Sequence, residues 1–567
     1  MIPFPEYPRP QLRRREYTIL NGLWDYAFTK SSQRPDRYDG KILVPFSPET
    51  KASGVERILM PWEFLHYRRT ISLGEIPAGK RLLLHFGAVD ESASVRINGR
   101  SAGIHRGGYL PFELDITDLV HAGSNELTLS VKDRTEYSFC ARGKQRLLRG
   151  GMFYTSQSGI WKSVWMEWVP AVHIAGLRMV PDIDRGILRL TVEAVRGCRE
   201  NVREDAGQRP LRCQDPLRRP SFTAVVSRKG LAAVKISGHA WDEVQSYFAM
   251  RKFSVEKDRH GTPRFFLNNR PYFLNGVLDQ GYWPGSLMTP PSDRAWIRDI
   301  RGMKGLGFNM LRKHVKIEAD RFYYHCDRIG MLVWQDMPCG GEVWNMFLLG
   351  YLPNMIPPFG RAVRDGAGSR WFFSRNSLQG RVSFTRELTQ MVQHLRNVPS
   401  ICVWGPFNEG WGQFDADFHT DLIRRLDNTR PVDQASGWFD QGGGDFYSIH
   451  NYFRPLKVKC RTRVTALTEY GGYSCRIPGK GGANGMPAYQ SFRSPRELNR
   501  AWVLLMKNMV YPNIRRGLSA AVYTQLSDIE EEINGILTYD RKVIKLRPQT
   551  VRRMNRILYK EFERSVR

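Results

Sequence analysis

Two glutamates in separate parts of the chain have the setting in which a carboxyl group does chemistry. Glu409 follows the apolar run Ile401–Pro406 in "ICVWGPFNEGWGQFD", and Glu469 closes a second run in "VTALTEYGG" (Val464–Gly472). Retaining hydrolysis of a glycosidic bond needs such a pair: a nucleophile for the anomeric carbon, and an acid that protonates the leaving oxygen and then deprotonates water. The acid has to keep its proton, so burial or a negative neighbour should raise its pKa.

Eight short apolar runs in the second half of the chain predict the scaffold that would position the two glutamates. Helical patterns lie between several of them, for example Ser292–Gly307, which opens with serine and closes with glycine, and Ser383–Asn397, with apolar residues three and four apart. Eight strands alternating with helices predict a (β/α)₈ (TIM) barrel, in which chemistry sits at the C-terminal ends of the strands. The runs are Tyr272–Leu278, Phe308–His314, Met331–Met337, Ile401–Glu409, Pro431–Trp438, Phe446–Tyr452, Val464–Gly472 and Leu518–Leu526.

Polar side chains at these strand ends are the further site candidates, because the ends of all barrel strands face one opening. Tyr452 and Arg312 are expected to donate hydrogen bonds to the nucleophile, and Asn408 to hold a sugar hydroxyl. Each residue also has a structural interpretation: a glutamate or aspartate can pair with one of the many arginines, a histidine can be a hydrogen-bonded wall residue, and a tryptophan can belong to the core. The substrate-binding candidates are His314, Asn408, His450, Tyr452, Asp279, Asp336 and Trp411.

The first half of the chain predicts two β-domains. Residues 1–170 contain regularly spaced short strands bounded by Gly, Pro and Asn, a pattern typical of a β-sandwich. Residues 171–257 hold one alternating pair, Val172–Val195, and a closing strand, Glu243–Lys257, which predict an incomplete immunoglobulin-like sandwich. Between them Arg196–Pro220 has neither period nor apolar face, so it is interpreted as a loop or as a disordered or damaged segment. Residues 258–567 are predicted to form the barrel.

Composition narrows the class of partner. The chain of 567 residues has a net charge of +29, but its basic residues are spread along the sequence with no recognition motif, so a polyanion-binding protein is a minor alternative and no specific nucleic-acid partner is expected. Eight cysteines without paired spacing predict free thiols and a cytoplasmic protein. No apolar run spans a membrane. No histidine spacing predicts a metal site, and no cofactor is expected. Homo-oligomerisation stays open.

Long blocks of the sequence resemble glycoside hydrolase family 2, the family of β-galactosidases, β-glucuronidases and β-mannosidases. The resemblance covers nearly the whole chain and implies a sugar-binding jelly-roll sandwich, an immunoglobulin-like domain and a catalytic TIM barrel. It implies Glu409 as acid/base, Glu469 as nucleophile, and His314, Asn408, His450 and Tyr452 as contacts. The blocks are Leu20–Phe28, Leu65–Leu73, Val95–Thr117 and Ser156–Val169 in the sandwich, and Tyr272–Pro284, Leu306–Pro338, Val403–Asp415 and Tyr523–Val543 in the barrel.

Three departures from the family pattern bear on activity and sugar. The family's Asn-His-Pro-Ser is "NVPS" here, with Val398 in the place of histidine. The middle domain lacks its expected central strands. The Asn-x-Lys with which glucuronidases hold a uronic carboxylate is missing, so the resemblance favours a β-galactoside or related neutral sugar, chosen by loops such as Gly340–Arg381 and Gly472–Arg493. The prediction is a retaining exo-β-glycosidase; the alternative is a non-catalytic carbohydrate-binding protein, a relic of such an enzyme.

Overall fold

A computed structural model of the chain describes residues 2–196, 221–225, 232–237, 242–459, 462–479 and 490–567. The predicted irregular segment Arg196–Pro220 lies outside the described residues except for its first one, and residues 480–489 of the second predicted specificity loop also lie outside them. Within the described parts the three predicted kinds of fold are all present, in the predicted order. The outcome confirms the fold class.

The N-terminal sandwich is formed by two antiparallel sheets that pack face to face. The strand Gly123–Lys132 shows why: its alternate residues Leu127, Leu129 and Val131 are buried in the core between the sheets, while their neighbours are half exposed. In spatial order the larger sheet contains Gly40–Val44, Gly22–Thr29, Phe64–Leu73, Gly123–Lys132, Ser92–Ile97 and Arg100–Arg106, and the smaller one contains Tyr17–Ile19, Val164–Pro170, Lys80–Phe86 and Phe112–Asp115.

The predicted closing strand of the middle domain is two strands in two different sheets. Glu243–Phe248 is the edge of a three-stranded sheet, whereas Phe253–Lys257 pairs with Pro263–Leu267, whose side chain Phe265 packs under the barrel. This second sheet spans residue 257, so the boundary between the middle domain and the barrel stays a prediction. The strands of this region are Val172–Asp182 paired with Ile187–Arg196; Ser221–Val225, Ala232–Ser237 and Glu243–Phe248; and Phe253–Lys257, Pro263–Leu267 and Arg270–Pro271.

Seven of the eight predicted barrel strands form one parallel sheet. The fifth, Pro431–Trp438, is not a continuous strand; it touches the fourth through isolated bridges at Val432 and Ser436. Short runs of buried residues, such as Ile401–Gly405, favour strands covered on both faces. In spatial order the strands are Ile401–Gly405, Leu332–Asp336, Met310–Lys313, Leu274–Asp279, Leu518–Thr524, Val464–Gly471 and Phe446–Asn451.

Amphipathic helices surround the barrel. The helix predicted to begin at Ser383 begins earlier, at Leu378, because Ser377 caps it by accepting a hydrogen bond from Gly380 N. In the part of the chain that the structure describes, every helix is too short or too polar to cross a bilayer. The α-helices are Asp293–Gly305, Asp320–Ile329, Leu352–Met355, Pro357–Ala362, Leu378–Leu395, Ala416–Leu426, Pro495–Leu505, Tyr511–Ile514 and Pro548–Val566, with π-helical turns at Phe347–Tyr351 and Met506–Val510.

Several two-residue strands and 3₁₀ turns lie between the long elements. Two of these short strands belong to a connection that reaches from the sandwich to the barrel. Gln145–Arg146 pairs in parallel with Tyr154–Thr155 in the connection between the last two long sandwich strands. Other two-residue pairs are Val89–Asp90 with Gly159–Ile160 and Ser474–Cys475 with Ser491–Phe492; 3₁₀ turns lie at Pro10–Leu12, Lys51–Ser53, Thr117–Leu119, Thr135–Tyr137 and Ala367–Ser369.

Candidate active site

Glu409 lies just past the fourth barrel strand on a bent backbone. Its φ is +52°, a left-handed conformation that costs a glutamate energy and is common where a side chain must be aimed. Its amide donates to the carbonyl of Ser436 at 2.8 Å, which ties the turn to the irregular fifth strand. The next residue is Gly410, also at positive φ (+81°), where a Cβ would lie 2.4 Å from the ring of Phe439. The turn therefore holds the carboxyl group in one direction.

Glu469 lies on the seventh strand and is held by two donors. Arg312 from the second strand donates through Nη1 to Oε1 at 3.2 Å, and the phenol of Tyr452, after the sixth strand, donates to Oε2. Arg312 is itself completely buried and also donates through Nη2 to Oδ1 of Asn408 at 2.9 Å. One guanidinium thus joins the ends of three strands. Both donors that the sequence suggested for the nucleophile contact this carboxylate.

His450 lies between the two glutamates. Its Nδ1 is 2.6 Å from Oε1 of Glu409, while its Nε2 is 3.1 Å from the hydroxyl of Ser436 and 3.7 Å from Oε1 of Glu469. One ligand atom from each of Glu409, His450 and Glu469 lies within 4.8 Å of the other two, a spacing that could also hold a metal ion. The two carboxyl groups therefore face each other at close to the separation of about 5–5.5 Å that retaining hydrolysis uses.

The pKa of Glu409 corrects one sequence-based expectation. Burial acts to raise the pKa of its carboxyl, but the hydrogen bond and positive charge of His450, with the charges of Lys144 and Arg312, outweigh burial and lower the pKa below its ordinary value. The expectation of a raised pKa for the acid is therefore wrong for the site without substrate. The reason is His450, which the sequence predicted as a substrate contact and not as a partner of Glu409.

Two predicted substrate contacts have unused polar atoms. His314 bonds Oδ2 of Asp336 through Nδ1 at 3.0 Å, and its Nε2 has no partner in the described residues; Nδ2 of Asn408 also has none there. Burial and nearby positive charges hold the pKa of His314 well below its usual range, so the ring is neutral. Burial raises the pKa of Asp336 to about 7, against the opposing effect of Arg312. His314 through Nε2 and Asn408, as a donor through Nδ2, can thus form new hydrogen bonds without losing their anchors.

Two other predicted substrate-binding residues form their contacts away from the glutamate pair. Asp279, at the end of the first strand, accepts from Nζ of Lys313 at 2.7 Å and from Gly281 N at 2.9 Å, within a buried ion cluster that includes Glu318. Trp411 is buried and stacks on Trp344, with ring centroids 5.3 Å apart. In these positions neither Asp279 nor Trp411 contacts a glutamate of the pair. Their roles in substrate binding stay predictions.

Val398, the departure from the family motif, lies behind the site. Its side chain is buried in the main barrel core, and its carbonyl accepts from Nη2 of Arg430 at 2.5 Å. Arg430 also pairs with Asp427, which accepts from the indole of Trp404. The apolar substitution is therefore accommodated by packing, and the strand that carries Asn408 and Glu409 keeps its anchors.

Sequence reasoning missed two residues of the site. Ser436 lies at the end of the predicted fifth strand, so the rule about strand ends could have found it. Lys144 belongs to the sandwich, in a connection without periodic pattern, and nothing in the sequence links it to a glutamate 265 residues later (409 − 144). Its charge nevertheless lowers the pKa of Glu409 and of His314.

Comparisons with known proteins match the N-terminal sandwich and the barrel. The family description "Glycosyl hydrolases family 2, sugar binding domain" matches residues 62–170, and "Glycosyl hydrolases family 2, TIM barrel domain" matches residues 261–459. A β-galactosidase of Thermoanaerobacter pseudethanolicus is 24% identical over 72% of this chain and 54% of its own length. A β-glucuronidase of Bacteroides fragilis is 23% identical over 75% of this chain and 61% of its own length. The chain thus spans little more than half the length of these curated relatives.

Solved structures share the whole architecture. A β-glucuronidase of an uncultured Clostridium species superposes with a TM-score of 0.71 over 96% of this chain and 98% of its own, at 16% identity. A β-galacturonidase of Eisenbergiella tayi, bound to galacturonate, superposes with a TM-score of 0.69 over 97% of this chain and 99% of its own, also at 16% identity. At these identities the likeness concerns the fold.

Proposed function

The chain belongs to glycosyl hydrolases family 2, and on that premise we propose that it is a retaining exo-β-glycosidase acting on a β-galactoside or a related β-glycoside. The observation that carries the proposal is the pair of Glu409 and Glu469, which offer oxygens within 4.8 Å of each other; His450 lies between them, and of the two glutamates it is Glu469 to which Arg312 and Tyr452 donate. Glu469 is the nucleophile and Glu409 the acid/base. Carbohydrate is the partner.

In the first step the Glu469 carboxylate attacks the anomeric carbon, and the bond from that carbon to the leaving oxygen breaks as Glu409 gives the oxygen its proton. The donors Arg312 and Tyr452 fix the carboxylate of Glu469 in the orientation for attack, since both contact it at once. In the second step Glu409 removes a proton from water, the hydroxide attacks the same carbon, and Glu469 is released.

His450 is proposed to handle the proton that Glu409 needs. The Glu409–His450 contact of 2.6 Å gives a proton a direct path between Nδ1 and Oε1, so His450 can deliver to Glu409 the proton that Glu409 passes to the leaving oxygen. When Glu469 becomes part of the covalent intermediate its negative charge disappears, which lowers the proton affinity of Glu409 further and favours its role as base. The lowered pKa of Glu409 therefore suits the second step, in which Glu409 acts as the base.

The competing proposal is a carbohydrate-binding protein without catalysis, suggested by Val398 and the incomplete middle domain. It predicts sugar binding with no turnover. Against it stand the anchors of both glutamates, which a relic has no need to keep.

The experiment is a panel of 4-nitrophenyl β-glycosides incubated with the full chain at several pH values, followed by proton NMR of the first-formed sugar. We expect release of 4-nitrophenol and a β-configured product. Glu469→Ala and Glu409→Gln should each lower kcat by about 10²–10⁴-fold or more with unchanged melting temperature. An α-configured product, or full activity in both variants, would falsify the proposal; binding without turnover favours the relic.

A further inference from the structure

The connection Phe139–Gln157 of the sandwich is fastened to the barrel opening next to Glu409. The amides of Arg142 and Gly143 donate to the carbonyl of Cys339, just past the third barrel strand, at 2.8 and 3.0 Å. Gly143 has φ +61°, and a Cβ there would lie 2.8 Å from the carbonyl of Val315, the residue after His314. The connection is therefore wedged between the ends of the second and third strands, and it has little freedom to move.

Lys144, the next residue, extends into the space between the sandwich and the glutamate turn. It is only 7% exposed, and its Nζ lies 5.4 Å from the ring centroid of Trp411, two residues beyond Glu409. Among the described residues its ammonium group forms no hydrogen bond and no ion pair. The nearly buried side chain thus brings a positive charge to the opening without contacting a carboxylate of the described residues, although Glu409 is close enough for that charge to lower its pKa.

Two further cations surround the same loops without carboxylate partners. Arg142 donates to the carbonyls of Gly341 and Glu342, at 2.5 and 3.1 Å. Arg375 donates through Nε to the carbonyl of Gly412 at 2.5 Å, while its Nη1 and Nη2 atoms are buried with no partner in the part of the chain described. Burial lowers the pKa of Arg142 to about 10 and that of Arg375 to about 9. This side of the opening thus carries three cations, Lys144, Arg142 and Arg375, and in the described part of the chain none of them forms a hydrogen bond or an ion pair with a carboxylate.

We propose that Lys144 is a substrate-binding residue that pairs with a carboxylate on the sugar, so that the enzyme prefers β-linked uronic acids to neutral sugars. The inference rests on the proposed function and refines its sugar. It revises the sequence-based preference for a neutral sugar, which depended on the missing Asn-x-Lys in the barrel. Here the cation is Lys144, which comes from the N-terminal sandwich and not from the barrel.

A carboxylate fits this position better than a hydroxyl does. A hydroxyl would satisfy one N–H of the ammonium but would leave its charge unbalanced, whereas a carboxylate supplies both the acceptor and the counter-charge. The Nζ atom of Lys144 lies over the ring of Trp411, and the guanidinium of Arg375 lies over the ring of Phe414, five residues beyond Glu409, where it adds to the positive potential. A hydrogen bond between charged partners is worth about 1.5–3 kcal/mol, or roughly 10- to 150-fold in kcat/KM.

The test compares 4-nitrophenyl β-D-glucuronide and β-D-galacturonide with the matching β-D-glucoside and β-D-galactoside, using the full chain. We expect a higher kcat/KM on a uronide than on its neutral counterpart. Lys144→Met should lower kcat/KM on the uronide about 10- to 100-fold, mostly through KM. Its effect on the neutral sugar should be smaller and should come from the pH profile, because removing the charge also takes away one of the influences that lower the pKa of Glu409. Lys144→Arg should restore part of the loss.

Lys132→Met is the matched control, because it removes a cation of the same domain whose Nζ lies over Phe64 rather than at the opening. Melting curves verify that all variants fold. A wild-type preference for neutral sugars, or equal losses on uronide and neutral substrate in Lys144→Met, overturns this inference while the glycosidase proposal stands. A wild-type chain that cleaves none of the four substrates overturns both.

Discussion

Nδ1 of His450 lies 2.6 Å from Oε1 of Glu409, so an imidazole and a carboxyl group share one proton at the centre of the barrel opening. Burial is the largest single influence on the pKa of this carboxyl group and acts to raise it, but the contact with His450 and the charges of Lys144 and Arg312 together lower the pKa. Catalysis should therefore depend on pH through the pair and not through Glu409 alone.

Replacing His450 by Gln should move the alkaline limb of kcat/KM to higher pH. Without the histidine charge, burial raises the pKa of Glu409, so the acid keeps its proton to a higher pH. The measurement is kcat/KM between pH 4 and 9 on the best substrate. His394→Gln, which removes a histidine paired with Asp320 on the outside of the barrel, should leave the profile unchanged. A limb that stays in place or moves down contradicts the role of His450.

Replacing Tyr452 by Phe should lower kcat about 10- to 100-fold and alter KM little. The phenol donates to Oε2 of Glu469, and losing a hydrogen bond to a charged group costs about 1.5–3 kcal/mol. Steady-state kinetics measures the effect. Tyr559→Phe is a suitable comparison, because its phenol donates to Gly307 on the outer side of the barrel. If both variants retain wild-type kcat, Tyr452 does not orient the nucleophile.

The wild-type protein should lose stability as the pH rises from about 4.5 to 7, and Glu387→Gln should lose less. Burial raises the pKa of the Glu387 carboxyl to about 7, and Ser383 is its hydrogen-bond donor. The folded state binds the proton more tightly than the unfolded state, so stability is full below the ordinary pKa and falls as pH rises through the raised one.

The expected difference is about 2–3 kcal/mol, seen as a smaller decrease in melting temperature from pH 5 to pH 8 in Glu387→Gln than in the wild type. Glu563→Gln on the exposed face of the C-terminal helix should follow the wild type. Parallel pH dependence in wild type and Glu387→Gln would mean that the buried carboxyl is not the source of the decrease.

Replacing Gly143 by Ala should destabilise the protein and lower kcat/KM about 10-fold, because a Cβ would collide with the Val315 carbonyl and displace Lys144. Gly186→Ala separates the two causes of strain: Gly186 has a similar φ of +68° but open space around it. The collision should cost about 1–3 kcal/mol beyond the control. Thermal melting and uronide kinetics check both parts, and equal behaviour of the two variants would show that the connection is not wedged.

Much of the scaffold was predictable, since its signals are local. Runs such as Ile401–Pro406 and Val464–Gly472 are apolar throughout because parallel strands are covered on both faces, and this placed Glu409 and Glu469 at strand ends. The prediction of a continuous fifth strand was wrong, because Pro431–Trp438 has the composition of a strand but touches the fourth strand through two isolated bridges. The prediction of one closing strand in the middle domain was also wrong. The segment forms two strands, and Phe253 in the second one packs under the barrel, a contact that no local periodicity reveals.

The sequence by itself determined the order of domains, the barrel and the two carboxylates, because periodicity and strand ends depend on residues near each other in the chain. Only the tertiary structure decided what surrounds those carboxylates and the other predicted site residues. His450 contacts Glu409 and lowers its pKa, Lys313 pairs with Asp279, and Lys144 extends from the sandwich to the ring of Trp411. Charge interactions act through space over several ångströms and depend on burial, so the protonation of the site, and the sugar preference proposed for it, depend on packing between distant segments.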